Sequence, residues 1–235
     1  MKNMKIDGVA TFDGGEYENI QVEGVATCKG DITAKSVRID GTFKSEGGVN
    51  TGELFCEGTA EFDGTICSGK TEIEGTFKSK GDMSGERLSC DGMADISGNI
   101  FVRQIEVDGF LHARDGDKIE AERIECDGAI HTEGQISADV VIANGIIKAK
   151  EIVGDNITLL SKMNAFVKLF IKKLSVVELI EATNITLDGI NAKMVNGENI
   201  VIGPKCRIDA IDCTGTLQLD PSARIGKITG DYTRL

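Results

Sequence analysis

The chain has 235 residues, with 29 glycines, 2 prolines, no tryptophan and a formal net charge of −12. That acidity argues against binding to a phosphate backbone, and the glycine-rich, proline-poor mix suits short ordered strands and tight turns rather than disorder. No apolar run reaches the length of a membrane span, and the opening Met-Lys-Asn-Met-Lys has no leader pattern.

In chain order, one tripeptide recurs: a small or apolar residue, an acid or amide, then glycine. It reads Ile6-Asp7-Gly8, Val22-Glu23-Gly24, Ile39-Asp40-Gly41, Cys56-Glu57-Gly58 and Ile73-Glu74-Gly75. It continues as Cys90-Asp91-Gly92, Val107-Asp108-Gly109, Cys126-Asp127-Gly128 and Ala143-Asn144-Gly145. The steps between these glycines are 16, then 17 five times, then 19 and 17. A fixed period of this kind marks a solenoid, in which each unit buries its apolar side against its neighbours.

Two and four residues past each glycine stand Ala10/Phe12, Ala26/Cys28, Phe43/Ser45, Ala60/Phe62, Phe77/Ser79, Ala94/Ile96, Leu111/Ala113 and Ile130/Thr132. This period of two predicts a strand with one buried side, and a large residue mostly accompanies a small one, as dense packing requires. A second glycine follows at Gly14, Gly30, Gly47, Gly64, Gly81, Gly98 and Gly134, read as a corner of positive φ. Inward apolar positions then come at Ile32, Val49, Ile66, Met83, Ile100 and Ile136, and at pairs such as Val37/Ile39 and Leu54/Cys56. Three strands and three corners in about 17 residues make one coil of a parallel β-helix.

The step of 19 places two extra residues on a corner near Arg114-Asp115-Gly116-Asp117. Coils are expected over 1–160. Residues 161–175 change pattern: Met163, Phe166, Val167, Phe170, Ile171 and Leu174 form a helical stripe. Lys162, Lys168, Lys172 and Lys173 take the other face. Further coils are expected over 176–228, carried by Ile185, Ile200 and Leu217, and a polar tail over 229–235.

Several groups could carry chemistry. The acids of the tripeptide form an outward column, which reads either as a cation ladder or as solvated turns. The two histidines, His112 and His131, fall on successive coils, where a metal or pH-sensing pair competes with mere exposure. Seven cysteines form no Cys-x-x-Cys pair, and three of them fill the apolar slot of the tripeptide, which suits a reducing cytoplasm. No phosphate-binding glycine loop and no nucleophile constellation can be assembled. No catalytic residue, cofactor or metal is therefore assigned, and no nucleic-acid partner.

In its tripeptides and paired glycines, over about residues 6 to 160, the sequence resembles the bactofilins. These are bacterial polymer-forming cytoskeletal proteins with a right-handed parallel β-helix core. The later coils, including Val201-Ile202-Gly203-Pro204, look like longer Gram-positive members. The family's usual N-terminal tail is not evident before the first coil, and a helical insertion is not typical of it. The resemblance implies head-to-tail polymerisation without nucleotide and scaffolding of cell-envelope, shape or motility machinery. Self-association is expected, along with a paralogous bactofilin and envelope or motility proteins as partners. The free strand edges of a solenoid agree with this. Candidate contacts are Ile6, Val9, Ala10 and Phe12 at one end, and Leu217, Leu219, Ile225 and Ile228 at the other. Phe166, Lys168, Phe170, Ile171, Lys172, Lys173 and Leu174 are candidates for docking on a partner or on an anionic membrane surface. The competing class is a hexapeptide-repeat acyltransferase, suggested by Ile202-Gly203-Pro204-Lys205-Cys206-Arg207, or another β-solenoid enzyme.

Overall fold

The computed structural model describes residues 2–114, 118–160 and 175–235. The chain divides into two units, Met1–Glu120 and Ala121–Leu235, and each is a parallel β-solenoid. Among the described residues there is no helix. The helical stripe expected over 161–175 falls on 161–174, outside the described residues, as does the insertion at 115–117.

The first unit opens with β1 (Lys2–Ile6), β2 (Val9–Val22) and β3 (Val25–Ile39). Short strands then alternate with longer ones. The short ones are β4 (Thr42–Ser45), β6 (Thr59–Phe62), β8 (Thr76–Ser79), β10 (Met93–Ile96) and β12 (Phe110–Ala113). The longer ones are β5 (Val49–Cys56), β7 (Ile66–Ile73), β9 (Met83–Cys90) and β11 (Ile100–Val107). Short pairs with short and long with long, all in parallel, and Thr42, Thr59, Thr76, Met93 and Phe110 stand in one register. The 17-residue period is therefore the coil.

The inward columns are those expected from the alternation. Phe43, Ala60, Phe62, Phe77 and Ala94 are fully buried, with Ser45 and Ser79 beside the phenylalanines. Each serine hydroxyl donates to a carbonyl two residues on, Ser45 to Gly47 and Ser79 to Gly81, both at 3.1 Å. A polar residue thus fills the small slot without leaving a buried hydroxyl unpaired. The rings of Phe12, Phe43, Phe62 and Phe77 stack up the core with centroids 6.3, 5.7 and 5.2 Å apart. Such spacings lie in the range of favourable aromatic pairs.

The glycine corners need one correction. Of the second-corner glycines, Gly30 alone has a φ in the left-handed region among the described residues. The others are required by close approach: a Cβ on Gly47, Gly64 or Gly81 would collide with the backbone of the corner one coil back. The tripeptide glycines meet the same limit, since a Cβ on Gly41 or Gly58 would strike the preceding corner's carbonyl oxygen. In seven of the acid–glycine and amide–glycine steps both amides point at one carbonyl, as Asp40 and Gly41 do at Val22 O, each 2.9 Å. That shared acceptor draws the corners together.

β13 (Lys118–Cys126) follows in the chain. The second unit continues with β14 (Ala129–Thr132), β15 (Gln135–Ala143), β16 (Ile146–Leu160) and β17 (Val176–Asp188). It ends with β18 (Asn191–Ile202), β19 (Arg207–Leu219), β20 (Arg224–Thr229) and β21 (Thr233–Arg234). Val141, Ile157, Ile185, Ile200 and Leu217 share one register, as expected for the last three, and the core is aliphatic. Residues 229–235, expected as a tail, include β21, which pairs with Thr216 and Leu217.

Candidate functional site

Assembly surfaces are to be sought where a coil lacks a neighbour. In the first unit β1 covers only the later part of β2, pairing Lys2 with Tyr17 and Ile6 with Val22. Val9–Asp13 pairs with β3 on one side and has no described strand on the other. The consequence is graded burial. Ala26 and Cys28 are buried, whereas their counterparts Ala10 and Phe12, with the same inward register, are half-exposed.

This first coil is one residue short. The place of Ile32 is taken by Gly15, whose φ is 144°, and Tyr17 moves into the core instead. The Tyr17 ring packs edge-on against Phe12 at 5.8 Å, and its hydroxyl donates to Asp13 O at 2.8 Å. Sequence reasoning did not single out Tyr17; the step of 16 between Gly8 and Gly24 was its signal.

In the second unit the last described coil is open in the same way. Ile208 and Ile211 are buried, while Ile225 and Ile228, in register with them, are half-exposed. Leu219 is half-exposed although Ile202 beneath it is buried. Of the other candidate contacts, Ile6 and Leu217 are buried, Leu217 lying under Arg234, and Val9 points outward into solvent.

The two edges differ in charge. Residues 2–22 carry two lysines against four carboxylates, and residues 219–235 carry three cations against two carboxylates. Lys5 pairs with Glu23 at 3.0 Å and Asp7 at 3.3 Å, and its pKa is raised by hydrogen bonding to Glu23 and then to Asp7.

The remaining chemical candidates make the following contacts. The first four acids of the column have cations beside them, Lys5 at Asp7 and Glu23 and Arg38 at Asp40 and Glu57. His112 and His131 belong to different units. His112 Nδ1 lies 3.9 Å from Asp95, and His131 Nε2 lies 3.1 Å from Glu133 and 2.8 Å from Lys148 Nζ. Among the described residues no group of three His, Cys, Asp or Glu side chains is placed to hold a metal ion. Six cysteines are buried and Cys67 is exposed. Burial pushes the thiols of Cys28 and Cys90 up to about 11 and that of Cys56 up to about 12, so they stay protonated and inert at neutral pH. No helix of the described residues is long and apolar enough to cross a membrane. The docking candidates Phe166, Lys168, Phe170, Ile171, Lys172, Lys173 and Leu174 lie outside the described residues.

Comparison with known proteins agrees with the repeat. Residues 22–113, all in the first unit, match the family model of the bactofilins, described as polymer-forming cytoskeletal. This bears out the resemblance read from the tripeptides. A stretch of 48 residues is 42% identical to the uncharacterized protein YhbE of Bacillus subtilis (strain 168), covering 20% of this chain and 20% of that protein. The match thus spans about a fifth of that relative's length. No solved structure matches the chain.

Proposed function

We propose, with the bactofilin segment at residues 22–113 as the premise, that the protein is a non-enzymatic cytoskeletal scaffold. Its copies join head to tail without nucleotide. The observation that carries this reading is the pair of half-open coils. Ala10 and Phe12 in one, and Leu219, Ile225 and Ile228 in the other, are core side chains short of one covering layer. A coil stacked on either edge would remove that apolar surface from water, at about 25 cal/mol per Å². It would also pair the free amides and carbonyls of the edge. The opposite charge balance of the two coils favours unlike edges over like ones. Ile6 and Leu217 are buried beside these surfaces, and Val9 flanks the first.

The right-handed winding, a cytoplasmic site of action, and service to envelope, shape or motility machinery with a paralogous partner belong to the same proposal. So does docking through Phe166, Lys168, Phe170, Ile171, Lys172, Lys173 and Leu174, whose alternation of apolar and basic residues suits an anionic surface. Phe170→Glu with Ile171→Glu would abolish recruitment to anionic vesicles and leave assembly intact; recruitment that survived would refute the docking role.

The main test is sedimentation and negative-stain imaging of the purified protein without nucleotide. Filaments are expected, and Phe12→Asp or Ile228→Asp should return them to the supernatant. A wild-type protein that stays monodisperse, or discrete trimers with acyl-transfer activity, would overturn the scaffold reading.

A further inference from the structure

The first unit has an outward face formed by the first parts of β2 and β3 and by β4, β6, β8, β10 and β12. Two columns project from it. One runs from Val9 and Val25 through Thr42, Thr59 and Thr76 to Met93 and Phe110, each in register with the next. In a chain where 27% of residues are charged, this column carries no charge over seven coils. Val9, Val25, Met93 and Phe110 are 87%, 47%, 54% and 39% exposed, half of the eight exposed large apolar side chains among the described residues. The parallel column beside it reads Lys44, Glu61, Lys78, Asp95, alternating in sign. Lys44 and Glu61 pair at 3.2 Å and Asp95 is held by Arg114, but exposed Lys78 has no ion pair among the described residues.

We propose that this face binds the same face of a second copy of the chain, with the two solenoid axes antiparallel. The choice of partner follows from symmetry. A two-fold axis along the strand direction, passing between the coils of Glu61 and Lys78, lays each column on its own counterpart. Lys44 then meets the second copy's Asp95, and Glu61 meets the second copy's Lys78. In the apolar column Thr42 meets the second copy's Met93, and Val25 its Phe110. An even run of alternating charges changes sign on reversal, so all four ion pairs are favourable at once. A slip of one coil would set Glu61 on Glu61 and Lys44 on Lys78, which costs like-charge repulsion. An axis along the solenoid would make the copies parallel and lay the apolar column on the charged one, stripping water from charges without partners.

The size of the face says when pairing occurs. The six overlapping coils, from Val25 to Phe110, about 4.8 Å apart and two columns wide, give on the order of 300 Å² per copy, below the roughly 800 Å² that stable pairs bury. Free subunits therefore stay single. In a polymer the same contact repeats along the strand, and the repeats act together. The inference rests on the scaffold reading in this respect: the face zips two polymers side by side.

The test is made on co-expressed Thr42→Cys and Met93→Cys chains, each also carrying Cys67→Ser, treated with a short bismaleimide after sedimentation. A linked dimer is expected from the mixture and from neither variant alone, because residue 42 of one copy lies three coils from residue 42 of the other. Lys78→Glu in both chains should reduce the linked dimer about tenfold, and Glu61→Lys added to it should restore the yield, since the reversed pair is again complementary. Wild-type polymers should appear as doublets, and Lys78→Glu polymers as single strands of unchanged pelletable mass. Polymers that pellet but give no dimer from the mixture, or dimers from either variant alone, would overturn the pairing and leave the scaffold reading standing. A protein that never pellets would overturn the scaffold reading, and this inference with it.

Discussion

The two units solve one stacking problem by different means. In the first, after an opening coil one residue short, a coil of 17 residues is held by glycine corners, an aromatic ladder and charged outer columns. In the second, paired residues lie 16, 28, 15 and 17 positions apart, as from Val141 to Ile157, Ile185, Ile200 and Leu217. Among the described residues the buried core there has no aromatic ring. The outer column three residues before each coil's end shows the contrast. In the first unit it reads Ser36, Glu53, Lys70, Arg87 and Gln104. In the second it reads Asn156, Asn184, Asn199 and Thr216, a ladder of hydrogen bonds of 2.9, 3.0 and 2.9 Å. Stacking therefore demands the inward alternation and tolerates changes in coil length. The constant period comes from the corners, and the bactofilin match falls where that period is strict.

The contrast can be broken most severely at a corner. Gly58→Ala forces a Cβ onto the Gly41 carbonyl, and the first unit should lose at least about 4 kcal/mol, a size reserved for such named clashes. Gly203→Ala in the second unit, whose Cβ would sit 3.0 Å from Leu187 O, should be far milder. Chemical denaturation followed by circular dichroism compares the two, and equal losses would refute the close-approach account.

Next in size, Phe62→Ala removes a ring between Phe43 and Phe77 and should cost about 3–5 kcal/mol, against about 1 kcal/mol for Ile185→Val in the aliphatic core. The loss should appear as faster amide exchange in the strands beside the altered ring, since solenoid contacts are between neighbours. Asn184→Ala breaks two rungs of the amide ladder and should cost about 1 kcal/mol, whereas Gln104→Ala in the corresponding column of the first unit should be near neutral.

The smallest effect separates the ion pairs from the amide ladder by pH. Hydrogen bonds from Lys35 to Glu18 and from Lys80 to Asp63 hold those two carboxyls below their usual range. Lys148, then His131, does the same for Glu133. A depressed folded pKa gives stability that is complete above the unfolded value and lost as pH falls through the folded one. Acidification below about pH 4 should thus weaken each pair slightly, while the amide ladder is unmoved. Amide exchange near Asn184 that rose in step with exchange near Lys80 would contradict this.

The repeat made the fold legible because inward positions follow from alternation alone: Phe43, Phe62, Leu54 and Ile66 were readable before any coordinates. The glycines were placed correctly but for the wrong reason, since close approach between coils is invisible in a single coil's sequence. The amide ladder was hidden because Asn156 and Asn184 stand 28 residues apart and meet only once the register is known. The partly open outermost coils of the two units were legible as apolar residues at Ala10 and Phe12 and at Ile225 and Ile228. Which of them are half-open depended on β1 and β21, strands too short and polar to announce themselves.

The 17-residue register also bears on how the chain is made. In the first unit each strand's partner lies one coil away, so a ribosome adding about 5–20 residues per second supplies a complete new layer every one to three seconds or so. No strand there has to wait for a distant segment, and contacts of such short reach form quickly. The first unit can therefore build onto itself in the order of synthesis, each new coil settling on the one before it.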